Sequence, residues 1–270
     1  MPPSLVLLLA AIVCSLPAIA QESSSSAPFV TTPDEVVAEM LALAGTGRGD
    51  YVIDLGSGDG RIVIAAARRF GARGLGVDLD EKLVALSREN ARSAGVAGRT
   101  EFRVQDALQT DLSGASVVTI YLLPQLIKEL QPRVLGQMQP GARVVTHAFY
   151  MQSWKPDAVR KVRLSQRHAG QGDESTIYLW IVPAQARGAW RAADWRLRIH
   201  QNFQEIEVEA QIGGRPLAVR NATLRGASIE FSGEGFAFSG RVNGDRIDGQ
   251  MTRAGAAVPI AFSRHAFSWR

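Results

Sequence analysis

Between residues 34 and 147, short apolar runs alternate with stretches whose apolar positions recur at helical spacing; beyond residue 188 only a two-residue alternation remains. The first part therefore reads as strands joined by helices, and the last part as strands alone. Val36, Val37, Met40, Leu41 and Ala44 share one helical face. Ahead of them, Thr32-Pro33-Asp34-Glu35 predicts a helix start with Thr32 as N-cap. Five strands are expected at Tyr51 to Leu55, Gly74 to Leu79, Glu101 to Gln105, Ser116 to Leu122 and Ala142 to His147. Helices are expected at Arg61 to Phe70, Glu81 to Ala94 and Pro124 to Met138, the last broken at Pro132. Such alternation predicts right-handed βαβ units and a parallel sheet. Val159 to Leu164 and Thr176 to Val182 flank Gly170-Gln171-Gly172-Asp173 and predict an antiparallel pair at one sheet edge.

From Gly188 onward, Trp195/Leu197/Ile199, Ile206/Val208/Ala210/Ile212, Phe236/Phe238 and Val258/Ile260/Phe262 alternate with polar residues. Gly213-Gly214 and Asn243-Gly244 supply hairpin turns, and no helical period intervenes. Residues 188–270 thus read as an accessory all-β domain, a small barrel or sandwich, after an α/β domain at 29–187.

The N-terminus changes this picture. Leu5 to Leu16 is apolar but short for a membrane span of ~20 residues. Ser15 and Pro17 interrupt it, and Ala18-Ile19-Ala20 has the small-x-small form of a cleavage site. Residues 1–20 read as a signal peptide for export to the periplasm, and an uncleaved membrane anchor is the alternative, since no Lys or Arg precedes the run. Gln21 to Pro28 begins with a serine-rich polar tract and reads as a disordered spacer. Cys14 is the only cysteine, so cleavage after Ala20 removes all thiol and disulfide chemistry. The four histidines show no ligand spacing, and no metal is expected. A net charge of +4 with interspersed signs argues against a dedicated nucleic-acid surface.

The candidate chemistry lies in Tyr51 to Arg61, Y-V-I-D-L-G-S-G-D-G-R: a strand, an acid, a glycine turn and a helix start. Glycines permit positive φ and close approach of a ligand to the backbone. Three nucleotide readings compete. A P-loop needs a Lys after its glycines, and none is present. The dinucleotide fingerprint G-x-G-x-x-G is one residue longer than Gly56-x-Gly58-x-Gly60, although Asp78 stands at the distance of its ribose acid. The third reading rests on Asp54, a carboxylate where a pyrophosphate would be repelled by ~1–4 kcal/mol. S-adenosylmethionine carries an ammonium instead and no phosphate. Asp54, Asp78 and Asp106 close three successive strands, where open α/β sheets bind ligands. Each could equally be a helix cap, since Asp is a common one.

Residues 51–61, 74–80 and 104–107 resemble the cofactor motifs of class I S-adenosylmethionine-dependent methyltransferases, whose Rossmann-like seven-stranded sheet also ends in an antiparallel pair. D-L-G-S-G-D-G-R-I at Asp54 to Ile62, F-V-T-T-P at Phe29 to Pro33 and W-K-P-D at Trp154 to Asp157 are similar to a narrower family. It comprises the mitochondrial protein-lysine N-methyltransferases of the ATP synthase c-subunit and nucleotide-translocase type, with their bacterial relatives. The resemblance implies that Asp54, Gly56, Ser57, Gly58 and Gly60 hold the methionine part, Asp78 the ribose, and Leu79, Asp106 and Ala107 the adenine. It implies a protein lysine as methyl acceptor. Family members often carry an acid after the fifth-strand histidine, where this chain has Ala148.

Methyl transfer to a lysine needs a neutral amine, and Tyr121 and His147, at the ends of the fourth and fifth strands, are the candidate catalytic residues. Tyr121 could hold the amine or be a core aromatic; His147 could accept a proton or be a hydrogen-bonded core residue. Trp154 could line the acceptor channel or anchor its loop. A small-molecule methyltransferase and a catalytically silent binder that works through the β domain are the alternative functions.

Overall fold

Strand β1, Tyr51–Leu55, lies inside the first sheet, buried from Val52 to Leu55 and flanked on both sides. In a computed structural model describing residues 30–168 and 172–265, it pairs in parallel with β2, Arg73–Asp78, and with β4, Val117–Ile120. β3, Thr100–Val104, and β5, Arg143–His147, extend the parallel sheet outward. β6, Ala158–His168, and β7, Gly172–Ile181, form the expected antiparallel pair, giving the order β3-β2-β1-β4-β5-β7-β6. The expected signal peptide and spacer at residues 1–28 lie outside the described residues.

The crossover helices cover both faces. α1, Asp34–Leu43, and α2, Arg61–Phe70, bury Val36, Met40, Leu41, Ile62 and Ala66 against Val52, Val117, Val145 and Ile177. α3, Glu81–Ser93, is N-capped by Asp80, whose Oδ1 accepts from Lys82 N at 2.8 Å. α4, Pro124–Gln137, buries Ile127, Leu130 and Val134 on the opposite face, against Ile53, Val118 and Val144.

Two local expectations are corrected. α4 runs unbroken through Pro132. Pro132 and Lys128, whose carbonyl it frees, both lie on the solvent side, so water can take the lost hydrogen bond. Thr32 does not cap α1: the N-cap is Pro33, without a side-chain cap bond, and Thr32 is buried with its hydroxyl on His147. Glu35 turns away as well and accepts from Ser165 N at 2.8 Å, tying α1 to β6.

The second sheet is an antiparallel meander of nine strands. In chain order these are β8 (Gly188–Ala192), β9 (Trp195–Asn202), β10 (Glu205–Ile212), β11 (Arg215–Leu217), β12 (Val219–Arg225), β13 (Ser228–Gly233), β14 (Phe236–Asn243), β15 (Arg246–Arg253) and β16 (Ala256–Arg264). β16 returns to pair with β8. β11 and β12 form one nearly continuous bent segment: β11 pairs with β10, and β12 pairs with β13 while passing beside β10. The result is a nearly closed barrel filled by Trp190, Trp195, Phe231, Phe236, Phe238 and Phe262. Both expected turns are present, with positive φ at Gly213, Gly214 and Gly244.

Candidate active site

Asp54 and Asp78 lie at the C-terminal ends of neighbouring strands, and Asp106 follows β3 two residues past its end. The turn after β1 folds back on β2: Gly56 N and Ser57 N both donate to Val77 O at 2.9 Å. Gly56, Gly58 and Gly60 have φ of 79°, 53° and 81°, and a Cβ on Gly60 would meet Phe102 Cε1 at 2.8 Å and Ser87 Cβ at 2.9 Å. Only glycine satisfies both conditions there.

The acids differ in their roles. Asp78 takes Gly58 N on Oδ2 at 2.9 Å and Asp80 N on Oδ1 at 3.0 Å, so it fastens the glycine turn to the end of β2. Each oxygen keeps a further lone pair for a hydroxyl. Beside it, Leu79 is 64% exposed, an apolar face at the mouth of the site suited to a base. Asp106 does act as a cap, accepting from Leu108 N at 2.8 Å over a single 3-10 turn at Ala107–Gln109.

Asp54 is the least ordinary. The register of β1 on β4 sets it opposite Thr119, whose hydroxyl donates to Oδ1 at 2.7 Å. Its side chain is buried and its acidic neighbours are Asp78 and Asp59, so burial first, and those charges second, push its pKa up to about 7. The Ser57 hydroxyl nearby on the same turn is buried and makes no hydrogen bond among the described residues. A buried carboxyl short of a cation and an unused hydroxyl fit the ammonium-bearing methionine tail of S-adenosylmethionine; they do not fit a pyrophosphate.

The candidate catalytic residues lie at the ends of β4 and β5. The Tyr121 ring lies 4.1 Å from the His147 ring, centroid to centroid. His147 is fully buried; its Nδ1 is 3.3 Å from Thr32 Oγ1 and its Nε2 3.0 Å from Ser175 Oγ. Both ring nitrogens are thus engaged inside the fold. Trp154 is likewise buried, with Nε1 donating to Gln204 at 2.8 Å, and anchors its loop instead of lining a channel.

Arg61 joins the site without having stood out in the sequence. Its guanidinium grips Asp59 and donates through Nη1 to Thr32 O at 2.9 Å. Arg61, Thr32 and His147 thereby join the glycine turn to the end of β5 through the segment ahead of α1. The sequence signal is an arginine one residue past the last glycine, but its partner lies 29 residues upstream. Among the described residues, no group of three or more metal-ligating side chains forms.

Comparison with known proteins bears on this site. A family described as the ANTKMT methyltransferase domain matches residues 54–158. A protein-lysine N-methyltransferase of Saccharolobus islandicus (strain REY15A) is 35% identical over 156 residues, 57% of this chain and 93% of that protein. The ATP synthase c-subunit lysine N-methyltransferase of Mus musculus is 36% identical over 169 residues, 62% of this chain and 64% of that protein. A solved RNA methyltransferase from Salinibacter ruber, in complex with S-adenosyl-L-homocysteine, is 47% identical with a TM-score of 0.52, covering 58% of this chain and 95% of that one. The Rossmann-like sheet, the acid set and these likenesses agree: the chain belongs to the ANTKMT family and is an S-adenosylmethionine-dependent methyltransferase.

Proposed function

We propose that this enzyme methylates the ε-amine of lysine in a protein. The observation that carries the reading is the likeness to the Saccharolobus islandicus protein-lysine N-methyltransferase, of which the chain spans 93%. We assign Asp54, Gly56, Ser57, Gly58 and Gly60 to the methionine part of the cofactor, Asp78 to the ribose, and Leu79, Asp106 and Ala107 to the adenine. S-adenosylmethionine supplies an electrophilic methyl group on a sulfonium. The chain's task is then to bring a neutral amine in line with it, and positioning of this kind supplies much of the rate.

Deprotonating a lysine of pKa ≈ 10.4 at pH 7 costs about 4–5 kcal/mol. A partly dry wall reduces that cost by disfavouring the ammonium. Tyr121 and Leu122 at the end of β4, with Leu123 half exposed beyond them, form such a wall in our assignment. Tyr121 orients the amine, and His147 fixes the Tyr121 ring from behind. The name of the Salinibacter relative favours RNA as a second reading.

Incubation with methyl-tritiated S-adenosylmethionine and an envelope extract, followed by separation of protein from RNA and acid hydrolysis, tests the choice. Label is expected in methylated lysine of the protein fraction. Label confined to nucleosides, or to small molecules, would reject the lysine reading.

We further propose export through residues 1–20, on the strength of the apolar run and Ala18-Ile19-Ala20. The purified mature protein is expected to begin at Gln21, and an intact Met1 would identify an anchor instead.

A further inference from the structure

We propose that the turn between β9 and β10, through Phe203 and Gln204, positions the acceptor-side loop 148–157, so that the barrel governs methyl transfer without touching the cofactor. This rests on the acceptor side lying at the ends of β4 and β5, as proposed above.

The connection from β5 to β6 contains no helix. Residues 148–157 cross the sheet face beside α4 as irregular chain, and Met151 and Trp154 are their buried anchors. One flank of those anchors is covered by the barrel. Phe203 stacks on Trp154 with ring centroids 5.6 Å apart and planes 15° from parallel. Gln204 clamps the same residue pair from both ends: Oε1 accepts from Trp154 Nε1 at 2.8 Å, and Nε2 donates to Lys155 O at 2.6 Å. On the other flank, Trp180 Nε1 donates to Trp154 O at 2.9 Å. Trp154 is thus held between the catalytic sheet and the barrel. The exposed Lys155–Glu205 ion pair at 3.2 Å adds little.

Backbone strain is concentrated at this junction. Ala148 has φ of 65°, Ser153 66° and Phe203 53°, three of the six non-glycine residues with positive φ among those described. Each costs on the order of 1–2 kcal/mol and persists only where the surroundings over-determine the conformation. At Ala148 they do: Phe149 N donates to His147 O and Ala148 N to Thr176 O, both at 2.8 Å. The Thr146 hydroxyl also donates to Phe149 O. The loop therefore leaves β5 in a strained tight turn fixed to His147, whose ring carries Tyr121. A shift of Trp154 is transmitted along six residues of held chain to the acceptor side, whereas the glycine turn on β1 makes no hydrogen bond to the barrel hairpin among the described residues.

The test uses the full chain with Phe203→Ala, Gln204→Ala and the conservative Phe203→Tyr. Two readouts are taken: the rate of label incorporation into the envelope extract as a function of cofactor concentration, and amide hydrogen exchange by mass spectrometry. In both alanine variants the maximal rate is expected to fall about 10–100-fold. The KM for S-adenosylmethionine should stay within about twofold, and Phe203→Tyr should restore the rate. Exchange should accelerate in 148–157 and remain unchanged in 54–60. Wild-type rates and exchange in both alanine variants would overturn the proposal. So would parallel changes in KM and in exchange at 54–60, which mark general loosening. If the wild-type protein labels no lysine, the acceptor reading fails, and the exchange pattern alone decides the positioning.

Discussion

Replacing Asp78 by alanine is expected to weaken S-adenosylmethionine binding about 100-fold or more, measured by calorimetric titration. Two losses combine. A carboxylate that accepts two ribose hydroxyls contributes charge-assisted hydrogen bonds of about 1.5–3 kcal/mol each. The same carboxylate holds Gly58 N at 2.9 Å, so its removal also frees the turn that must lie against the methionine part. Asp78→Asn keeps the turn contact, because its carbonyl oxygen still accepts from Gly58 N, while its amide group can accept neither from a hydroxyl nor from Asp80 N. An intermediate loss, near tenfold, is expected for it. Wild-type affinity in Asp78→Ala would remove Asp78 from the ribose site.

Asp54→Asn is the second large effect. In the free protein, burial and the two neighbouring acids raise the Asp54 pKa to about 7 against an ordinary 3.8. A raised carboxyl pKa penalises the folded state as pH rises from about 4 through about 7, and that penalty is present in full above 7. An ammonium placed beside Asp54 relieves it, so the ionised form is stabilised by the cofactor. Below pH 7 binding must then expel a proton, and affinity falls by up to tenfold per unit. The neutral asparagine loses the attraction, about 10–100-fold in affinity above pH 7 for a charge-assisted contact. It also loses the pH dependence, and it is expected to stabilise the free protein at pH 8, seen as a higher urea midpoint.

The cofactor half of the fold was legible because its determinants are local. Five apolar runs, the glycines and the strand-end acids occur within about a hundred residues, and each encodes its element through period or φ preference. The function class followed from three strand-end acids in register with the glycine turn, Asp54 among them disfavouring a phosphate and favouring an ammonium. The less legible details depend on surroundings that the local pattern does not show. Thr32 looked like a cap because Glu35 stands three residues after it, yet its hydroxyl is taken by His147, 115 residues away. His147 was open between proton acceptor and hydrogen-bonded core residue, and only the fold reveals Thr32 and Ser175 on its two ring nitrogens. Pro132 looked like a break because the pattern does not show that its face of α4 is wet. The role of Phe203 had no sequence signal at all: an aromatic in a hairpin turn gives no hint that it completes the cover over Trp154.

The barrel's alternation gave its class but left barrel and sandwich open. The answer lies in the bent segment Arg215 to Arg225, which pairs with β10 at one end and β13 at the other. Nothing in the two-residue period encodes that bend. Nor does it encode the hairpin's docking on the loop after β5, which ties the barrel to the catalytic sheet.

The central proposal is that a buried acid, and not a phosphate-binding turn, reads the cofactor. The most direct measurement of this is the number of protons exchanged when S-adenosylmethionine binds at pH 6, obtained by titration calorimetry in two buffers of different ionisation enthalpy. The expected result is release of close to one proton by the wild-type protein and none by Asp54→Asn. Binding by the wild type with no proton released, or binding of NAD in place of S-adenosylmethionine, would contradict it.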